Sequence, residues 1–229
     1  MIIIDKPYIS DFLKETLSEH QLPVLKTDIA AEMLGEGSFN YVEPMSLVNS
    51  YENDSPTPIY TPSENALHWI SKNLKTSLLQ EKIHYFKNKV AFRKLLSDIY
   101  PAFRFKEIPY NELDTVNPSE LFFPMILKPS VGFFSMGVRK VNSSKDWPTV
   151  VEAIKKELEQ LKNIYPDAVL DTTSFIAEEI IEGEEYAIDA YFDDKGSPVL
   201  LGMMKHIFGS DEDVSDRVYF TSGELIQQK

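Results

Sequence analysis

One stretch constrains this chain more than any other: "FPMILKPSVGFFSMGVRKV", residues 123–141. Residues 125–128 and 138–141 are short, apolar and β-branched, and read as two strands joined by a loop over 129–137. The first strand ends in Lys128. A lysine there can lay its methylene stem on apolar surface and hold its ammonium in a cleft. The loop carries Gly132, Gly137, Ser130 and Ser135. Successive backbone N–H groups in such a turn can cradle phosphate oxygens, and a compact cation beside them suits the same anion. A plain hairpin with a surface lysine is the other reading, and no G-x-x-x-x-G-K-[ST] loop occurs in the chain.

The remaining sequence sorts by its periods. Residues 1–5 read as a buried strand, followed by a helix with Ile9, Phe12, Leu13 and Leu17 on one face. "PVLKT", residues 23–27, reads as a second strand, so the opening is a parallel sheet with a helical crossover. Its first turn, "DKP", has no glycine and therefore lacks the dinucleotide fingerprint. Residues 49–62 are a loop with a short strand around Ile59. Helical patterning covers 64–75 and resumes at Leu78. In "NKVAFRKLLSDIYP" the residues Phe92, Leu95, Leu96 and Ile99 form an apolar stripe, Asn88 can cap, and Pro101 lies beyond the end. Lys89 and Arg93 share another face.

From Phe103 the period becomes that of strands. Residues 103–108 alternate; Trp147, Val150, Val151, Ile154, Leu158 and Leu161 then mark an amphipathic helix. Residues 175–181 read as a strand, and "EEYAIDAYFDDKG" turns at Asp194, Lys195 and Gly196 into "PVLLGMMKHIF" as a hairpin. Along its first arm Glu185, Ala187, Asp189, Tyr191 and Asp193 share one face, while Tyr186, Ile188, Ala190 and Phe192 share the other, read as core. The expected fold is an α/β domain with a parallel sheet over 1–75, then an α+β region with an antiparallel sheet over 76–229.

A formal charge of −13 argues against nucleic acid as a partner but leaves room for a small anion. The absence of cysteine excludes disulfides, thiol catalysis and cysteine–zinc sites. No signal-peptide pattern and no apolar run of ~20 residues occurs, so the expectation is a cytoplasmic protein with no membrane partner. His20, His68, His84 and His206 lack metal-ligand spacing and read as surface or satisfied core histidines. In "EEIIEGEEY", Glu178 and Glu185 offer acceptors suited to an amino group and to hydroxyls. Glu182 and Glu184 read as a solvated turn.

The segments "PMILKPSVGFFSMGVRKV" and "FIAEEIIEGEEYAIDAYFDDKG", in this order, resemble the ATP-grasp superfamily of ATP-dependent carboxylate ligases. "NKVAFRKLLSDIYPAFRF" is similar to the segment ahead of that family's nucleotide cleft, and the opening α/β unit is similar to its preceding domain. The resemblance implies that Lys89 contacts phosphates and that Lys128 binds the α- and β-phosphates. Residues 130–137, with Ser130 and Ser135, would be a flap over the β- and γ-phosphates. Glu178 would accept from the adenine amino group, and Glu179, Ile180 and Ile181 would be a hinge whose backbone reads the adenine edge. Glu185 would hold the ribose hydroxyls, and Lys205 would contact phosphate. ATP and Mg²⁺ are the implied cofactors. A small carboxylate is the implied substrate, activated as an acylphosphate for attack by an amine or other nucleophile. A homodimer is compatible. The alternative is a non-catalytic nucleotide-binding or interaction module on a degenerate ATP-grasp scaffold.

The chain departs from the family at two places. The family's magnesium is held by a later acidic segment with a Glu-x-Asn motif, which this sequence lacks. Asp211, Glu212, Asp213 and Asp216 read as a solvated loop. The metal ligands are therefore expected beyond Lys229, in a longer enzyme of which these residues alone are inactive. Phe133 and Phe134 make the flap poor in glycine. Arg217 is a candidate for a substrate carboxylate through its bidentate fork, or a plain loop residue.

Overall fold

The computed structural model describes residues 1–53, 57–75, 78–132, 137–161, 171–210 and 217–227. They fall into two compact units, one spanning Met1–Leu95 and one beginning at Leu96.

The first unit contains α1 (Asp11–Glu19), β1 (Pro23–Leu25), α2 (Asp28–Leu34), β2 (Asn40–Val42) and α3 (Pro44–Glu52). Then come α4 (Ala66–Asn73), α5 (Leu79–Lys87) and α6 (Lys89–Leu95). β1 and β2 pair in parallel, and isolated parallel bridges join Ile2 to Val24 and to Tyr60. The expected parallel sheet is present, with its first strand reduced to that bridge. Ile3 packs with Leu25, Leu47 and Ile70, whereas Ile4 packs with Ile9, Leu17 and Val24. Neighbouring residues of an extended chain face opposite sides, so this sheet has an apolar layer on each side, as parallel sheets do. Phe12 is not on the buried face of α1; it is 79% exposed, Leu13 and Leu17 carry that face, and Ile9 is buried just ahead of the helix. Asn88 caps α6, its Oδ1 accepting from the Ala91 N–H at 3.0 Å. The helix is anchored by buried Val90, while Leu95 is exposed and Ile99 lies past its end.

The second unit opens with β3 (Phe105–Pro109), β4 (Met125–Val131), β5 (Arg139–Val141), α7 (Trp147–Leu161) and β6 (Asp171–Glu179). These strands form one antiparallel sheet in the order β3-β6-β4-β5. One face carries Ile108, Met125, Leu127, Val141, Phe175 and Ala177. Against it pack Trp147, Val151, Ile154 and Leu158 of α7, at helical spacing. The buried Trp147 Nε1–H donates to the Leu113 carbonyl at 3.2 Å. Strand alternation then puts Ile126, Lys128, Ser130, Lys140, Ile176 and Glu178 on the opposite face.

β4 runs past Lys128 to Val131, further than the proline suggested. β5 pairs only with Met125, Ile126 and Leu127. Among the described residues, β4 therefore has β6 alone as neighbour at Pro129, and a strand bordered on one side tolerates a missing N–H.

The unit continues with β7 (Tyr186–Phe192), β8 (Pro198–His206), β9 (Tyr219–Phe220) and α8 (Gly223–Gln227). The β7–β8 hairpin forms where expected; Asp193 closes its turn by accepting from the N–H groups of Lys195 and Ser197. The face expected to be core is open: Ile188 is 52% and Phe192 72% exposed. The bulge between Asp189 and Ala190 puts its extra residue, Leu201, on β8, and Asp189, Ala190 and Tyr191 are exposed as well, so both faces of β7 are open from Ile188 onward. Among the described residues no helix is long and apolar enough to cross a membrane.

Candidate functional site

Glu178 stands opposite Ile126 of β4 and Phe105 of β3. Lys128 is one pleat further along β4, on the same face, and its ammonium forms an ion pair with Glu178 Oε1. Glu178 is 5% exposed. A carboxylate at that depth is costly without a partner, and the lysine supplies one. Lys140 of β5 also stands opposite Ile126, which places a second cation on this face. Sequence reasoning misses Lys140, although its alternation with core Val141 is the available signal.

Glu179 turns the other way. Its Oε2 accepts from Arg104 Nε–H at 2.8 Å, and its N–H donates to the Arg104 carbonyl at 3.0 Å. The hydrogen bond from Arg104 holds the Glu179 carboxyl below the usual range. The guanidinium also lies over the Phe122 ring, 5.0 Å from its centroid. The connection leaving β6 is open: Ile180 is half-buried, Ile181 exposed, and Gly183 has φ +124°.

A cleft of about 660 Å³ begins at Gly183 and is lined by Glu184, Glu185, Lys205, His206, Phe208, Phe220 and Leu225, among others. It brings together two residues singled out from the sequence, Glu185 and Lys205. Glu184 is exposed in the β6–β7 connection, as a solvated turn carboxylate should be, and it also has partners. It pairs with Lys205, and the Tyr186 hydroxyl donates to its other oxygen at 2.5 Å. Bonding to Glu184 raises the pKa of both Lys205 and Tyr186 above their ordinary values. Glu185 meets His206 twice: the His206 N–H donates to the Glu185 carbonyl at 2.8 Å, and Nδ1 lies 2.9 Å from Oε1. His206 is 5% exposed, and its ring is stacked on Tyr219 and tilted against Phe208. It is the satisfied core histidine the sequence suggested.

The loop after β4 differs from expectation at both ends. Ser130 is a strand residue, 1% exposed. Gly137 has φ +68°, and a Cβ there would lie 3.1 Å from the Pro129 ring. Its N–H donates to Glu157 Oε1 at 3.1 Å, so in this structure it is committed to α7 rather than offered to an anion. Glu157 also accepts from Arg139 at 2.5 Å. Phe133, Phe134 and Ser135 lie outside the described residues, as do Asp211, Glu212, Asp213 and Asp216. Lys89 opens α6 in the first unit. Arg217 is exposed. Among the described residues no group of three acidic or histidine side chains could hold a metal ion, so the ligand set for Mg²⁺ is not met there.

Residues 121–229 match the family model of the ATP-grasp domain. The fold is similar to that of an L-amino acid ligase from Bacillus licheniformis, with a TM-score of 0.64 at 20% identity, over 97% of this chain and 57% of that one. It is also similar to the biotin carboxylase domain of the 2-oxoglutarate carboxylase from Hydrogenobacter thermophilus, crystallised with MgADP, ADP and bicarbonate. There the TM-score is 0.52 at 12% identity, over 89% of this chain and 49% of that one. This chain thus spans about half the length of the solved structures it matches. No curated protein matches the sequence.

Proposed function

We propose, from the match of residues 121–229 to the ATP-grasp domain model, that this chain is the ATP-binding part of an ATP-dependent carboxylate ligase. The supporting observation is the pairing of Lys128 with buried Glu178 on the sheet face turned away from α7. A cation and an acceptor thereby share one sheet face, the face on which the nucleotide is proposed to lie.

In this reading Glu178 accepts from the adenine amino group, and the backbone of Glu179, Ile180 and Ile181 reads the adenine edge. Glu185 accepts from the ribose hydroxyls. Lys128 and Lys205 neutralise phosphate charge. A substrate carboxylate oxygen attacks the γ-phosphorus, giving an acylphosphate and ADP. An amine then attacks the acyl carbon and inorganic phosphate leaves. The protein's share is positioning and charge neutralisation, with water kept from the acylphosphate.

The test is thermal unfolding of the full-length protein with and without ATP–Mg²⁺. A ligand that binds only the native state raises its stability. Wild type is expected to gain, and Lys128→Met and Glu185→Gln to lose most of that gain. No ATP-dependent shift in wild type would overturn the reading. Phosphate release with a panel of amino acids and other carboxylates then separates a ligase, which turns over, from a non-catalytic nucleotide-binding module, which does not.

A further inference from the structure

Among the described residues, His206 is a buried side chain bonded to a carboxylate that faces solvent. Its side chain is 2% exposed, while that of Glu185 is 60% exposed. An ionised carboxylate only accepts, so the 2.9 Å contact requires a proton on His206 Nδ1. The ring has little freedom: its centroid lies 4.7 Å from that of Tyr219 and 3.9 Å from that of Phe208. The backbone bond from the His206 N–H to the Glu185 carbonyl fixes the two residues opposite one another. Both line the same cleft.

The asymmetry indicates which residue serves the other. An exposed glutamate samples many rotamers and must be ordered when it binds a ligand. A donor on a stacked, immobile ring orders it beforehand. One carboxylate oxygen is engaged by Nδ1, and a carboxylate has about four lone-pair sites, so acceptor capacity remains for a ligand's hydroxyls.

We propose that His206 is a positioning residue that holds the Glu185 carboxylate ready to accept from the ribose hydroxyls of the nucleotide. This rests on the assignment of Glu185 under the proposed function. Binding to the full-length protein is measured by calorimetry for ATP and for 2′,3′-dideoxy-ATP. The ratio of the two affinities reads the hydroxyl contacts alone. His206→Phe keeps a ring in the stack but removes the nitrogen. It is expected to weaken ATP about 3- to 10-fold, the cost of ordering one side chain at binding, while leaving the dideoxy nucleotide unchanged. His206→Asn, whose amide can stand where Nδ1 stood, is expected to restore most of the ratio. Tyr219→Leu loosens the stack and leaves the nitrogen in place; a smaller change in the same ratio is expected.

Equal weakening of both nucleotides in His206→Phe, or an unchanged ratio, overturns the positioning role. If that variant does not fold, Tyr219→Leu decides: a reduced ratio supports the role and a wild-type ratio opposes it. Failure of wild type to bind ATP overturns the nucleotide site itself. Binding of ATP with no preference over the dideoxy form overturns the role of Glu185 and this proposal with it.

Discussion

Lys128 and Glu178 neutralise one another across the β4–β6 ladder, one pleat out of register. Truncating the lysine leaves a carboxylate, 5% exposed in the intact protein, with its principal cation gone. Lys128→Ala is expected to cost about 3 kcal/mol, the lower end for breaking a buried pair, because part of the lysine reaches solvent. The double variant Lys128→Met with Glu178→Leu is expected to recover most of it. Urea unfolding of the two singles and the double gives the coupling; additive losses would contradict it.

Gly137 is held in the left-handed region, against the Pro129 ring. Gly137→Ala adds both backbone strain and a contact tighter than ordinary packing, and should destabilise by about 1–2 kcal/mol. Gly137→Asn should cost less at the backbone, since asparagine tolerates that region better. A neutral alanine variant in chemical denaturation would rule out the strained turn.

The Arg104–Glu179 pair sets a pH dependence with a definite sign. Glu179 in the folded protein titrates below its usual 4.5. Its contribution is therefore present above the unfolded value and is lost as pH falls through the lowered folded value. Wild type should melt above Arg104→Ala at neutral pH, and the gap should close on acidification through the region below 4.5. Melting curves at a series of pH values check this; a gap that widens in acid would reverse the assignment.

How much of the fold and the site is legible in the sequence depends on whether a residue's role is local. The Asn88 cap and the Asp193 turn are set by neighbours in sequence, and each has the expected structure, whereas the strand expected to end in Lys128 runs on to Val131. Periodicity gives two faces, however, and does not say which one finds a partner. It assigns Phe12 and Ile188 to the core because they alternate correctly, yet both stay largely exposed. The partners of Glu184 and Gly137 escape sequence reasoning for a related cause. Those partners, Lys205 and Glu157, lie some twenty positions away and become neighbours only through folding.

The α7 core offers a control within the second unit. Ile154 is fully buried, so Ile154→Ala should cost about 2–5 kcal/mol. Glu152, exposed on the same helix, should tolerate alanine within about 0.5 kcal/mol. Similar losses at both positions would mean that α7 does not pack as described.

β4 carries packing and chemistry on alternate residues, and the two functions are tied by parity. A slip of one position along β6 would push Leu127 out of the core and drive Lys128 into α7. Over evolutionary time Ile126 and Leu127 can trade among apolar side chains at small cost. A single inserted or deleted residue between Met125 and Lys128 would remove the site and the core together. Length is the inherited trait of this strand, and its letters are comparatively free.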